Sequence, residues 1–308
     1  MKSNKQETGV AVIGAGGIGN LRAHSCKQIT QVDYLAVCDI KDEKLESVAE
    51  SVKADIATNN YSDAIEDSRV GAVIISTDEE NHYDATMKAV ELGKSVLIEK
   101  PFVLDLNEAD NILAKAKETG AEVFVGYTQR FRRKFLLAKE AVRKGQLGDI
   151  VFSMGKIYVT RAVGEAVAGR SPNTTPSINT GTYLVDLMLW YNEGKKPVEV
   201  YAKSASNVFK SYNRDDFQWM LVTYDDGSVS SLGTSWLQPR HWPAYTATME
   251  IDLPGTNGSL NIDDAHRDVV LVPGDPIPCP YTPQHNVDVA FLGSAMPGDF
   301  VMGEFFGP

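Results

Sequence analysis

Three stretches of the sequence carry side chains suited to chemistry. The first is GAGGIG (14–19), with the spacing G-x-G-x-x-G, immediately after the apolar run GVAVI (9–13). Its glycines would permit a tight turn, let the backbone approach a pyrophosphate and pack a helix on a strand. The phosphates would lie on the N–H groups at the start of that helix. Asp39 closes the next apolar run, YLAVCD (34–39). A carboxylate there can accept hydrogen bonds from both adenosine ribose hydroxyls and repels a 2′-phosphate, which favours NAD. Lys41, two residues on, keeps NADP possible. Without a ligand, the same residues read as ordinary turn glycines and a solvated aspartate. The second stretch is EKP (99–101), where Lys100 could hydrogen-bond a substrate hydroxyl and act as acid or base if its pKa is lowered, or simply cap a strand end in water.

The third stretch is NTGTYLVDLMLWY (179–191). At helical spacing Asn179, Tyr183 and Asp186 fall on one stripe of an otherwise apolar segment. Tyr183 can be a proton-transfer group, since a nearby lysine ammonium favours phenolate. It can also belong to a site that binds without proton transfer, or to the core beside Trp190. Asn179 can only orient a substrate through its amide.

The elements that must position these residues show two grammars. Through residue 125 the runs GVAVI, YLAVCD, GAVIIST (71–77), SVLIEK (95–100) and EVFVGY (122–127) are continuously apolar, as strands buried on both faces of a parallel sheet are. Helical patterns lie between them at 17–29, 42–53, 82–93 and 105–119, the last with Leu106, Ala109, Ile112, Leu113 and Ala116 on one stripe. The alternation predicts right-handed βαβ crossovers and a doubly wound α/β sheet over 1–125. Residues 126–308 predict a second α/β domain. It starts with a helix near 132–145 and a strand at 151–160, followed by a loop over 163–177 rich in small residues. Further strands fall at 198–204, 217–224, 228–236, 247–253, 258–262 and 268–272, with turn signals DDG (225–227) and GTNG (255–258). That pattern predicts a large, mostly antiparallel sheet. Residues 273–284 read as a proline-rich surface loop.

The order and spacing of several motifs resemble the Gfo/Idh/MocA oxidoreductase family across nearly the whole chain. They are the early glycine fingerprint, a strand ending in Ser76–Thr77 with His82 a few residues on, GKSVLIEKP (93–101), and GYTQRF (126–131). The resemblance implies a Rossmann domain followed by an α/β domain, and NAD- or NADP-dependent oxidation or reduction of sugars, inositols and related polyols. It implies a catalytic role for Lys100 and a cofactor set of Gly14, Gly16, Gly17, Ile18, Gly19, Asp39, Thr77, His82, Glu99 and Lys100. His82 can meet the ligand with its ring or serve only as a helix-start residue. Members commonly carry D-x-G-x-H-x-x-D where this chain has N-T-G-T-Y-L-V-D. Gly181 and Asp186 keep their places, Asn179 stands for the acid and Tyr183 for the histidine. The catalytic candidates are therefore Lys100, Tyr183 and Asn179, and Tyr127 and Arg130, which either line the cleft or serve packing, join Asn179 and Tyr183 as substrate-binding candidates. Some relatives are NAD-dependent glycosidases, and a non-catalytic dinucleotide or sugar sensor is a further alternative. Arg161 and Arg170, flanking the loop, read as solvated or as able to recognise a substrate carboxylate or phosphate, and Trp236, Arg240, His241 and Trp242 as a cluster after a strand that reaches the substrate or a subunit contact. By the same resemblance the chain is expected to form a homodimer or homotetramer, and GDFVMGEFFGP (298–308) reads as stopping short of a further helix and strand.

Composition narrows the partners. The chain of 308 residues has 30 Lys+Arg against 41 Asp+Glu, a net charge of −11. Such a surface repels nucleic-acid phosphates and anionic lipid. No apolar run is long enough to span a bilayer, and the polar MKSNKQET start is unlike a secretory signal. Cys26, Cys38 and Cys279 suit reduced thiols in a cytoplasm. The five histidines lack ligand spacing, so no metal site is expected.

Overall fold

The computed structural model describes residues 8–239 and 247–263, and beyond them the backbone of short strands between 268 and 291. The expectations for Arg240, His241, Trp242, Cys279 and the last eleven residues lie outside the described residues, as does most of the proline-rich stretch 273–284, where Ile277–Pro278 form a short strand in place of the expected loop. The chain divides into two units. One comprises residues 1–126 with 170–173, and the other 127–169 with 174–308.

In the first unit the strands β1 (Thr8–Ile13), β2 (Val32–Cys38), β3 (Ile56–Thr58), β4 (Val70–Ile75), β5 (Ser95–Ile98) and β6 (Val123–Val125) form a parallel sheet in the order β3-β2-β1-β4-β5-β6. The order reverses between β1 and β4, which is where open α/β sheets bind their ligands. Val10 and Val12 of β1 enter one core layer with α1 (Gly17–Gln28) and α2 (Asp42–Val52), through Ala23, Cys26, Leu45 and Val48. Ala11 and Ile13 enter the other layer with α3 (Tyr61–Glu66), α4 (His82–Glu91) and α5 (Leu106–Thr119). Both faces are thus covered, which explains strands without polar alternation. On α5 only Ile112 and Ala116 of the expected stripe are buried, whereas Leu106 and Leu113 are exposed. The short elements β3 and α3 gave no periodicity long enough to read.

The registers decide what emerges at the carboxyl edge. Cys38, Ile13, Ile75, Ile98 and Val125 lie side by side across five strands. The residues next in the chain, Asp39, Gly14, Ser76, Glu99 and Gly126, therefore leave the sheet along one line.

The second unit opens with α6 (Arg133–Arg143) and β7 (Phe152–Thr160), then α7 (Arg161–Arg170) and α8 (Thr182–Tyr191). Its sheet runs through β8 (Pro197–Ala205), β9 (Phe217–Tyr224), β10 (Val229–Gln238), β11 (Ala247–Pro254), β12 (Gly258–Asp263) and β13 (Asp268–Pro273). The short β14 (Ile277–Pro278) and β15 (Asn286–Val287) pair with each other, and β16 (Ala290–Phe291) completes an eight-stranded sheet in the order β16-β13-β12-β11-β7-β10-β9-β8. Only β7 and β10 pair in parallel, so the sheet is mostly antiparallel as expected. Ile157, Leu232, Met249 and Ile251 pack one face against Phe135, Leu184, Leu187 and Tyr191 of α6 and α8. Gly155 lets α8 approach closely, since a Cβ there would lie 2.5 Å from Leu184.

The loop expected over 163–177 is corrected. Residues 161–170 form α7, whose alanines favour a helix and whose Val163 and Val167 bury against Phe209 and Trp236. Gly164 sits where a Cβ would be 2.7 Å from the Phe209 ring and 2.8 Å from Trp236. The glycine that suggested a loop is there because two aromatic rings occupy its side-chain space.

Candidate active site

The glycine turn of the first unit separates into two kinds of position. Gly14 has φ +94°, and a Cβ there would lie 2.6 Å from the Ser76 carbonyl oxygen. At Gly19 a Cβ would lie 1.7 Å from the Gly14 carbonyl oxygen. These two glycines are required by the protein's own packing. At Gly16 and Gly17 a Cβ would meet nothing within 4 Å. Gly16 caps α1 with no side chain, so the N–H groups of the first turn face open space. This cradle fits a pyrophosphate, which takes both the room and the donors.

Asp39 is fixed beside the turn. Its Oδ2 accepts from the Ala15 N–H at 2.7 Å and its Oδ1 from the Lys41 N–H at 2.8 Å. The carboxylate is therefore oriented by backbone, with lone pairs left for ribose hydroxyls. A cavity of about 280 Å³ runs from this point, lined by Gly14, Asp39, Asn59, Tyr61, Thr77 and Asn81. The Ser76 hydroxyl, also on its lining, is buried with no hydrogen-bond partner among the described residues.

Lys100 follows β5 at the same edge and is half-buried. Burial pushes its pKa below the ordinary lysine value; Glu79 and Glu99 oppose that shift and Arg170 adds to it. Glu99 is ion-paired through one of its oxygens. Arg22 of α1 donates to its Oε1 from Nε at 2.8 Å and Nη2 at 2.5 Å, which anchors the strand end. His82 holds its ring against backbone carbonyls. Its side chain is buried, with Nδ1 2.8 Å from the Pro101 carbonyl oxygen and Nε2 3.2 Å from that of Thr77. It ties the chain after Lys100 to the end of β4. The Ile18 side chain is half-exposed on α1, and Thr77 lines the cavity.

In the second unit the stripe read from the sequence is altered. Residues 177–181 form a π-helical turn, and regular α-helix begins only at Thr182. Asn179 is buried within that turn, whereas Tyr183 is half-buried on α8, packed against the core. The third member, Asp186, binds Arg130 through Oδ2 at 2.8 Å and Oδ1 at 2.6 Å. Arg130, a substrate-binding candidate of the sequence, is thus paired with α8. Tyr127 shares a hydrogen bond of 2.8 Å with Thr182, and its ring meets that of Tyr183 edge-on at 6.3 Å. Both residues of GYTQRF hold the helix that carries Tyr183.

Sequence reasoning missed Arg22, Glu79 and Thr182 and misread Arg170. Arg22 follows Gly19 by one helical turn, the only local hint. The Glu79–Arg170 pairing spans 91 residues and gives no local signal.

A doubly wound sheet with an open glycine cradle and an oriented carboxylate at its reversal point defines an NAD-binding Rossmann domain, here joined to an α/β unit with a mixed sheet. The chain belongs to the Gfo/Idh/MocA oxidoreductases. Residues 8–127 match the oxidoreductase family with NAD-binding Rossmann fold, and residues 135–261 match the GFO/IDH/MocA C-terminal domain. The chain is similar to the myo-inositol 2-dehydrogenase of Thermotoga maritima, 24% identical over 276 residues, 85% of this chain and 77% of that protein. It is also similar to the scyllo-inositol 2-dehydrogenase (NAD(+)) of Bacillus subtilis, 27% identical over 275 residues, 85% and 75% of the two chains. The scyllo-inositol dehydrogenase of Lactobacillus casei, solved with NAD(H) and scyllo-inositol, shares the fold with a TM-score of 0.74 at 18% identity, over 83% of this chain and 76% of that one. No described helix is long and apolar enough to cross a membrane.

Proposed function

We propose that the protein exchanges a hydride between NAD and a secondary alcohol or ketone of a sugar, inositol or related polyol. The observation that carries this reading is the line along the sheet edge, where Asp39, Gly14, Ser76 and Glu99 emerge side by side and Lys100 follows directly. Three strand spacings, roughly 14 Å, separate the β2 and β5 ends. The inositol class is supported by the relatives named above.

NAD supplies the hydride acceptor or donor when bound. Asp39 holds the ribose hydroxyls, and Gly16 and Gly17 leave the α1 amides open to phosphate. Lys100, its proton loosened by burial, hydrogen-bonds the substrate oxygen and holds or releases the proton there. Tyr183 is the phenol assigned to the same proton, and Asn179 orients the substrate.

A panel of inositols, sugars and keto-sugars with NAD(H), read at the reduced-nicotinamide absorbance, tests the assignment. Wild type is expected to turn over at least one member, and Lys100→Met to lose about a hundredfold or more. Full turnover by Tyr183→Phe would remove the phenol from the reaction. Dinucleotide binding without turnover of any member would make the protein a sensor. Cleavage of a glycoside with no net NADH would make it a glycosidase.

The outer sheet face carries Tyr201, Leu221 and Met154 in one row, all exposed. This is the surface assigned to dimer or tetramer contact, and sedimentation of Leu221→Glu against wild type tests it.

A further inference from the structure

The turn after β4 holds two adjacent glutamates, Glu79 and Glu80, met by donors 91 to 93 residues away. Arg170 donates to Glu79 from Nη2 at 2.8 Å and Nε at 3.3 Å, and its Nε lies 3.5 Å from Asp78 Oδ1. The Ser171 hydroxyl and the Asn173 N–H both donate to Glu80 Oε1, at 2.6 and 3.3 Å. Glu79 is 5% exposed, so its charge is poorly shielded by water. His82, which directly follows the turn, holds its Nδ1 2.8 Å from the Pro101 carbonyl oxygen in the lysine's own segment. The charges that act on the Lys100 ammonium are Glu79 from the turn, Glu99 from the end of β5, and Arg170.

We propose that Glu79 and Arg170 are positioning residues for Lys100: one buried carboxylate faces two cations, and Arg170 balances the charge that Glu79 would otherwise exert on the lysine alone. Burial pushes the Glu79 carboxyl up, and the hydrogen bonds and charge of Arg170, with Lys100, bring it below the ordinary carboxylate range. Glu79 is therefore ionised at neutral pH and attracts both cations. With Arg170 in place the lysine keeps a proton that it can release. Without Arg170 the lysine would hold its proton as the sole counter-ion of Glu79. The catalytic consequence rests on the reading of Lys100 above, whereas the charge coupling does not.

Competitive acetylation of the protein with acetic anhydride across a pH series, with the Lys100 peptide quantified by mass spectrometry, reads the lysine's titration midpoint without turnover or ligand. Arg170→Met is expected to raise the midpoint by about one pH unit or more, and Glu79→Gln to lower it by a similar amount. The opposite signs matter, because both variants break the same ion pair and loosen the same turn. Arg170→Lys, which keeps the cation without the planar fork, is expected to stay near the wild-type midpoint. Equal shifts in one direction, no shift, or Arg170→Lys behaving as Arg170→Met would overturn the proposal. If Arg170→Met does not fold, the Glu79→Gln and Arg170→Lys midpoints decide the matter. A silent substrate panel with the expected midpoints would overturn the catalytic reading and leave the coupling standing.

Discussion

Arg130 grips Asp186 with a two-pronged hydrogen bond, Nε to Oδ2 and Nη2 to Oδ1, across 56 residues of chain. Its guanidinium also lies 5.3 Å from the centre of the Trp190 ring, one helical turn further along α8. Asp186 is buried and Arg130 partly exposed, so this pair is shielded on its acidic side. The arrangement makes Asp186 a fixing point for α8.

Asp186→Ala is expected to lower unfolding stability by about 1.5–3 kcal/mol, the loss of a charge-assisted pair at a buried carboxylate. Urea unfolding followed by tryptophan fluorescence measures it. NAD affinity should stay within twofold, because Asp186 belongs to the second unit. A large loss of NAD affinity with unchanged stability would contradict the fixing role.

The glycines divide into two experimental classes. Gly14→Ala and Gly19→Ala are expected to destabilise the fold itself, by about 1–3 kcal/mol or more, since each new methyl meets backbone. Gly16→Ala should leave the melting temperature of the unliganded protein nearly unchanged and weaken NAD at least tenfold, about 1.4 kcal/mol, by filling the phosphate cradle. Calorimetric titration with NAD and thermal melts separate the two classes.

Asp39→Ala should weaken NAD and shift the preference toward NADP by about tenfold or more. The carboxylate that repels a 2′-phosphate is gone, and Lys41 and Lys44 remain on the cavity lining. The ratio of the two dissociation constants is the measurement. An unchanged ratio would mean that the carboxylate does not face the ribose.

Lys100 also affects stability through linkage. Its folded pKa lies below the ordinary lysine value, chiefly through burial. The unfolded chain therefore binds more protons in the window between the two values, and stability rises with pH across it. Below that window the charged lysine carries its full burial penalty. Lys100→Met is expected to melt above wild type at pH 7, with the gap closing as pH approaches 10.5. A wild type more stable than the variant at pH 7 would show that Glu79 and Glu99 outweigh burial.

The parts of the site legible in the sequence were those set by local chain geometry. Gly14, Gly16 and Gly19 announce a turn by their spacing after an apolar run, with Gly14 in the left-handed region and Gly19 leaving no room for a side chain, and Lys100 stands out because it ends an apolar run. His82 was legible as a residue of interest but not by role, since its ring partners Pro101 and Thr77 arrive from two strand ends. The helix α7 was hidden because Gly164 reads as a breaker until Phe209 and Trp236 are brought against it.

By itself the sequence determined the two sheet types, the switch between them near residue 126, and the placement of a glycine turn, a carboxylate and a lysine at strand ends. Apolar period and turn chemistry are short-range properties, written within a few residues of where they act. Only the tertiary structure decided which charges meet: Arg130 with Asp186, Arg22 with Glu99, Arg170 with Glu79. Those choices depend on strand register and helix docking, which bring distant residues within 3 Å and leave no periodic trace along the chain.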